Sequence, residues 1–60
     1  MADMWIGGRR TRVPVFSRDD LSPGQRVAGP AIVEEAATLT VLHPGQTLRV
    51  DPYGMLIVSV

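Results

Sequence analysis

Few side chains in this chain could carry chemistry. There is one histidine, His43, and there are six arginines. Two adjacent acidic pairs, Asp19-Asp20 and Glu34-Glu35, join Asp3 and Asp51 as the only carboxylate side chains. A general base at His43 would need a partner within hydrogen-bond reach, and the surrounding "LHPGQ" identifies none. In a Pro-Gly turn such a histidine reads as a solvated polar residue. Glu34 and Glu35 lie in a stretch of strand character, where successive side chains point to opposite faces. They are therefore badly placed to share a proton or a metal. Asp19 and Asp20 follow Ser17, which is the pattern of a capped helical turn with negative charge at its start. These patterns assign no catalytic residue, no cofactor-binding residue and no metal ligand.

The composition excludes further classes. All six basic residues are arginine and none is lysine. No side-chain Schiff base, no amide-linked biotin or lipoyl group and no phosphate-loop lysine is available. Without cysteine there is neither a disulfide nor a thiolate site, and one histidine alone does not make a zinc site. The formal net charge is zero, which argues against a general nucleic-acid or anionic-membrane binder. Arg9, Arg10 and Arg12 read as a solvated cluster near a terminus. No apolar run approaches the ~20 residues of a membrane span. The opening "MADMWIGG" is too short and too acidic for a signal peptide, so the expected location is the cytoplasm.

The elements that would hold these residues are strands and turns. "LSPGQRV" at Leu21–Val27 returns twenty-one residues later as "LHPGQTLRV" at Leu42–Val50. Proline presets φ at the second turn position, and glycine supplies the positive φ of a type II turn at the third. Pro23-Gly24 and Pro44-Gly45 are thus two copies of one corner, in two β-turn-β units related by approximate symmetry. Gly29-Pro30 interrupts the next extended stretch, so the main strand there starts at Ala31 and runs to Glu34. Pro52 and Gly54, in "DPYG", mark a third reversal. "TRVPVF" at Thr11–Phe16 alternates as a strand, with Pro14 restricting it to an edge. In "TLTVL", Leu39 and Val41 share one face, and in "QTLRVD" Leu48 and Val50 do. A period of two with closely spaced turns predicts an all-β fold. The expectation is a small barrel or sandwich of about five to six short strands, with at most one short helical turn after Ser17. Residues 1–10 are read as a flexible or partly ordered N-terminal arm, with Trp5 and Ile6 either covering an edge of the core, the reading preferred, or standing exposed as the remnant of an interface. Residues 11–60 form a single small β domain.

A chain of 60 residues buries only ~60% of the surface its unfolded form exposes. With no staple of its own, it is expected to gain stability from a partner or by self-association.

Four stretches, "PVFSRDDL", "PGQRVAGPAIVEE", "TLTVLHPGQ" and "VDPYGMLIV", follow one another from Pro14 to Val58. In that order and spacing they resemble the extreme C-terminal segment of the hydantoinase A family. That family takes in ATP-dependent N-methylhydantoinases, oxoprolinases, and acetone and acetophenone carboxylases. The resemblance implies a hydrolase of cyclic amides or a carboxylase as the parent enzyme, with ATP and a divalent metal held outside these residues. It carries no catalytic residue onto this sequence. It implies a non-catalytic module or small accessory subunit serving assembly and packing, whose partner is a larger nucleotide-binding subunit. A free-standing β module that binds a ligand or peptide is the alternative.

Overall fold

A computed structural model describes all 60 residues, Met1–Val60. The chain is all-β and sandwich-like. Its strands are β1 (Ala2–Ile6), β2 (Arg9–Val13), β3 (Val15–Ser17), β4 (Arg26–Ala28), β5 (Ala31–Glu35), β6 (Thr38–Leu42), β7 (Thr47–Val50) and β8 (Leu56–Ser59). They form a two-stranded sheet, β1-β2, and two three-stranded sheets ordered β3-β5-β6 and β4-β7-β8.

Eight strands exceed the expected five to six, for three reasons. Residues 2–6 pair with 9–13 as an antiparallel hairpin, Ala2 opposite Val13 and Ile6 opposite Arg9. Its two-residue loop is Gly7-Gly8, both with positive φ, as a type I′ turn demands. Pro14 then divides the stretch read as one strand. Val13 ends the hairpin, and Val15 begins a strand parallel to β5, with Val15 opposite Ile32. Third, β4 and β5, on either side of the cis Gly29-Pro30 peptide, are separate strands in different sheets.

The hairpin also corrects the reading of Trp5. Met4 and Trp5 are neighbours on a strand and point to opposite faces. Met4 takes the inward place, and Trp5 stays 71% exposed, with the Arg10 guanidinium 5.9 Å from its ring centroid.

The core lies between the two three-stranded sheets. Leu21, Val27, Ala31, Val33, Leu42, Leu48 and Val50 form one cluster, with Phe16 and Leu56 packed against it. Both sheets and the link between β3 and β4 contribute. The helical segment is a single 3-10 turn, Arg18–Asp20. Ser17 stands at its N-cap with extended backbone but makes no side-chain capping bond. The turn serves to deliver Leu21 into the core.

Candidate functional site

The two repeated corners are built alike in atomic detail. In the first, the Gln25 N–H donates to the Ser22 carbonyl at 3.0 Å, and the Ser22 N–H donates to Gln25 Oε1 at 3.0 Å. In the second, the Gln46 N–H donates to the His43 carbonyl at 3.1 Å, and the His43 N–H donates to Gln46 Oε1 at 2.8 Å. Each glutamine thus closes its turn twice, by backbone and by side chain. Gly24 and Gly45 have φ of 87° and 88°, the left-handed conformation that only glycine adopts without cost.

The corners then meet through the β4-β7 pair. Val27 lies opposite Leu48, and these two residues are equivalent in the sequence repeat. An approximate two-fold axis therefore passes between them. Its consequence is a reciprocal pair of bonds. Gly29 N–H donates to Gln46 O at 2.8 Å, and Val50 N–H donates to Gln25 O at 3.0 Å. Five of the seven core residues, Leu21, Val27, Leu42, Leu48 and Val50, lie within the two copies. The symmetry is incomplete, because Gly24 N–H donates to Val50 O at 2.8 Å and Gly45 makes no equivalent bond. Gly29 lies so close to the second turn that a Cβ there would run into the His43 carbonyl.

The third reversal, Asp51–Gly54, is organised by a carboxylate. Asp51 Oδ1 accepts from the N–H of Tyr53 at 2.9 Å and of Met55 at 2.8 Å. Gly54 follows with φ 84° after the Pro52-Tyr53 pair. The Arg18 guanidinium donates to the Gly54 carbonyl, which ties the 3-10 turn to the β7-β8 loop. Neither glutamine nor Arg18 stands out in the sequence reading. The signal for the glutamines was present, since Gln follows Pro-Gly in both copies.

The residues with chemical potential do not converge. His43 is exposed and joins its turn through its backbone. Glu34 and Glu35 fall on opposite faces of β5, and Asp19 and Asp20 lie exposed in the 3-10 turn. No three His, Asp or Glu side chains gather as a metal cluster. Arg26 and Arg49 lie directly opposite each other on the outer face of β4-β7, both exposed. Like charges so placed repel. The one ion pair, Arg12 with Asp3 at 4.0 Å, spans the hairpin on the surface. An open recess of about 450 Å³ reaches from β6 to β8 and is lined by Arg18, Glu35, Thr40, Met55, Leu56 and Val58. It brings together one arginine, one glutamate, one threonine and three apolar side chains. Such a set suits contact with another surface better than bond-making.

The outer faces of the two sheets differ in character. On β3-β5-β6 the outward residues are Val15, Ile32 and Val41 in one cross-strand row, with Glu34 opposite Leu39 next to it. Leu39 is 60% exposed and Val41 42%. The shared face of Leu39 and Val41 is thus the solvent face, and Thr40 and Leu42 occupy the inner one. On β4-β7-β8 the outward residues are Arg26, Arg49, Thr47, Ser59 and Ile57. No helix of the structure is long and apolar enough to cross a membrane.

Comparison with known proteins bears on this arrangement. The family model described as the hydantoinase/oxoprolinase C-terminal domain matches residues 2–59. An uncharacterized protein of Methanocaldococcus jannaschii is 45% identical over 42 residues, 70% of this chain and 6% of that protein. Caprolactamase subunit alpha of Pseudomonas jessenii is 38% identical over 39 residues, 65% of this chain and again 6% of its own length. The chain therefore matches only a small fraction of these relatives. No solved structure matches it significantly.

Proposed function

The chain belongs to the hydantoinase/oxoprolinase C-terminal domain family, and on that premise we propose that it is a non-catalytic module or accessory subunit of a hydantoinase-type enzyme, serving its assembly and packing. The observation that carries this reading is the family match over nearly the whole chain, combined with its small share of much longer relatives. Its scattered ionisable side chains and its interlocked turns agree with a structural part.

The enzyme it completes opens a cyclic amide. The likeness to a caprolactamase subunit supports hydrolysis over carboxylation. Its ATP and divalent metal are held by the larger part, in the cytoplasm. The module contributes a preformed β surface. Its own core is small, so docking on the larger part stabilises both. Apolar area removed from water contributes ~25 cal/mol per Å².

The test is affinity purification of the tagged chain from its native cell, followed by mass spectrometry and size-exclusion chromatography. A stoichiometric hydantoinase-type large chain is the expected companion. A chain that emerges alone and monodisperse overturns the proposal in favour of a free-standing binding module.

A further inference from the structure

We infer that the outer face of the β3-β5-β6 sheet, centred on Leu39 and Val41, is the surface that seats against the large body of a hydantoinase-type polypeptide; this rests on the function proposed above and names the face that performs it.

In a two-layer sandwich the outward residues of each strand are ordinarily polar. The β4-β7-β8 sheet follows that rule at Arg26, Arg49, Thr47 and Ser59, with Ile57 its one large apolar outward residue. The β3-β5-β6 sheet breaks it. Val15, Ile32 and Val41 form an unbroken apolar row across three strands, and Leu39 extends it along β6. The side of β6 that carries Leu42 otherwise holds two threonines, half-buried Thr40 opposite Val33 and exposed Thr38 opposite Glu35. The larger apolar side chains of β6, other than Leu42, have been placed on the side away from the core.

The strand is also an unprotected edge. β6 is terminal in its sheet, and "TLTVL" contains no charge and no proline, the devices that ordinarily blunt an edge. The other edge of the same sheet, β3, is flanked by Pro14 and Arg18. Exposed apolar face and bare edge coincide on one strand.

The size of the patch selects its occupant. Four aliphatic side chains fall well short of the ~800 Å² per partner that a specific, stable association of two free molecules buries. A second copy of this chain would be held too weakly by it. Against a separate large chain the patch is the apolar centre of a wider contact that supplies the remaining area. It suffices by itself where the two surfaces belong to one polypeptide, because tethering raises the effective concentration to the millimolar range. That is the situation of the matching segments in the relatives, where about 94% of each protein lies outside the matched stretch of 6%. The surface is thus suited to an apolar area of the body to which such a segment is joined.

The test replaces Leu39, or in a parallel sample Arg49, by photoreactive p-benzoylphenylalanine in the full 60-residue chain. Each is irradiated in native cell extract and the adducts are identified by mass spectrometry. The expected result is an adduct between position 39 and a hydantoinase-type large chain, at least about tenfold above that from position 49. Adducts to that large chain from position 49 but not 39 would overturn this inference and leave the proposed function standing. A position-39 adduct to a second copy of the chain would overturn it in favour of self-association. No large-chain adduct from either position would count against both readings. Leu39→Lys provides the second measurement. Since the side chain is exposed in the free chain, the variant should keep the circular dichroism of the wild type. Its recovery of the large chain should fall about tenfold, the equivalent of ~1.4 kcal/mol. Unchanged recovery would overturn the inference.

Discussion

Replacing Gly29 by alanine should cost this protein a large part of its stability, although the backbone there is not in the left-handed region. The added methyl would meet the His43 carbonyl, with the carbonyl carbon at 2.9 Å and Gln46 O at 3.3 Å. Both are backbone atoms of the second corner, so no rotamer change relieves the clash. The turn must move away from β4, and the 2.8 Å bond from Gly29 N–H to Gln46 O goes with it. Overpacking costs ~1–3 kcal/mol, and the lost bond adds about 1 kcal/mol. The sum, roughly 2–4 kcal/mol, compares with a total of about 3–9 kcal/mol for a domain of this length. Gly45→Ala is the control. Its φ of 88° is left-handed, but nothing lies within 4 Å of the new methyl, so the cost is the conformational ~1–2 kcal/mol alone. Urea unfolding followed by far-ultraviolet circular dichroism is the assay, because exposed Trp5 is a poor fluorescence reporter. With a slope near 1 kcal/mol/M, Gly29→Ala should lower the midpoint by about 2–4 M, or leave the chain unfolded in water. Gly45→Ala should lower it by about 1–2 M. A Gly29→Ala midpoint at or above that of Gly45→Ala would refute the close-approach argument.

Other substitutions test other joints of the fold. Gln25→Ala and Gln46→Ala each remove one side-chain bond to a turn N–H and should cost about 0.5–1.5 kcal/mol, read as a fall in Tm of several degrees for each. Arg18→Ala removes the bond to the Gly54 carbonyl and should cost about 1.5–3 kcal/mol; chemical shifts in the Asp51–Gly54 loop should move with it, and an unperturbed loop would contradict the tether. Arg26→Glu turns the repulsion with Arg49 into a cross-strand attraction and should stabilise by roughly 0.2–1 kcal/mol, measured by urea midpoint at low salt and reduced at high salt. His43→Ala should alter stability by less than about 0.5 kcal/mol, because its two turn bonds are made by the backbone; it should also leave the turnover of any enzyme complex containing the chain unchanged.

Much of the architecture is legible in short-range chemistry. Pro-Gly followed by Gln marks the two corners, and Gly24 and Gly45 take the left-handed conformation that such a corner requires. The twenty-one-residue repeat anticipates an approximate symmetry, which the structure realises between Val27 and Leu48. Pro14 and Gly29-Pro30 break extended segments because proline has no N–H for a ladder. Less legible was the N-terminal strand. Ala2–Ile6 has little β character of its own, and it is the Gly7-Gly8 turn that aligns it against Arg9–Val13.

Residue order alone is enough to establish the all-β class, the positions of the corners and the lack of lysine and cysteine chemistry. It is also enough to establish the kinship, because the motifs that carry it are contiguous stretches of chain. These properties depend on local backbone preference and on residue identity, which need no distant partner. Which face of β6 lies inside, by contrast, is settled by packing between distant segments. Alternation places Leu39 and Val41 together but is equally satisfied by either side of the strand. The choice was made by β5, whose Ala31 and Val33 stand opposite Leu42 and Thr40 and turn that side toward the core. Leu39 and Val41 are thereby left facing solvent, because a pleated strand cannot send neighbouring side chains the same way.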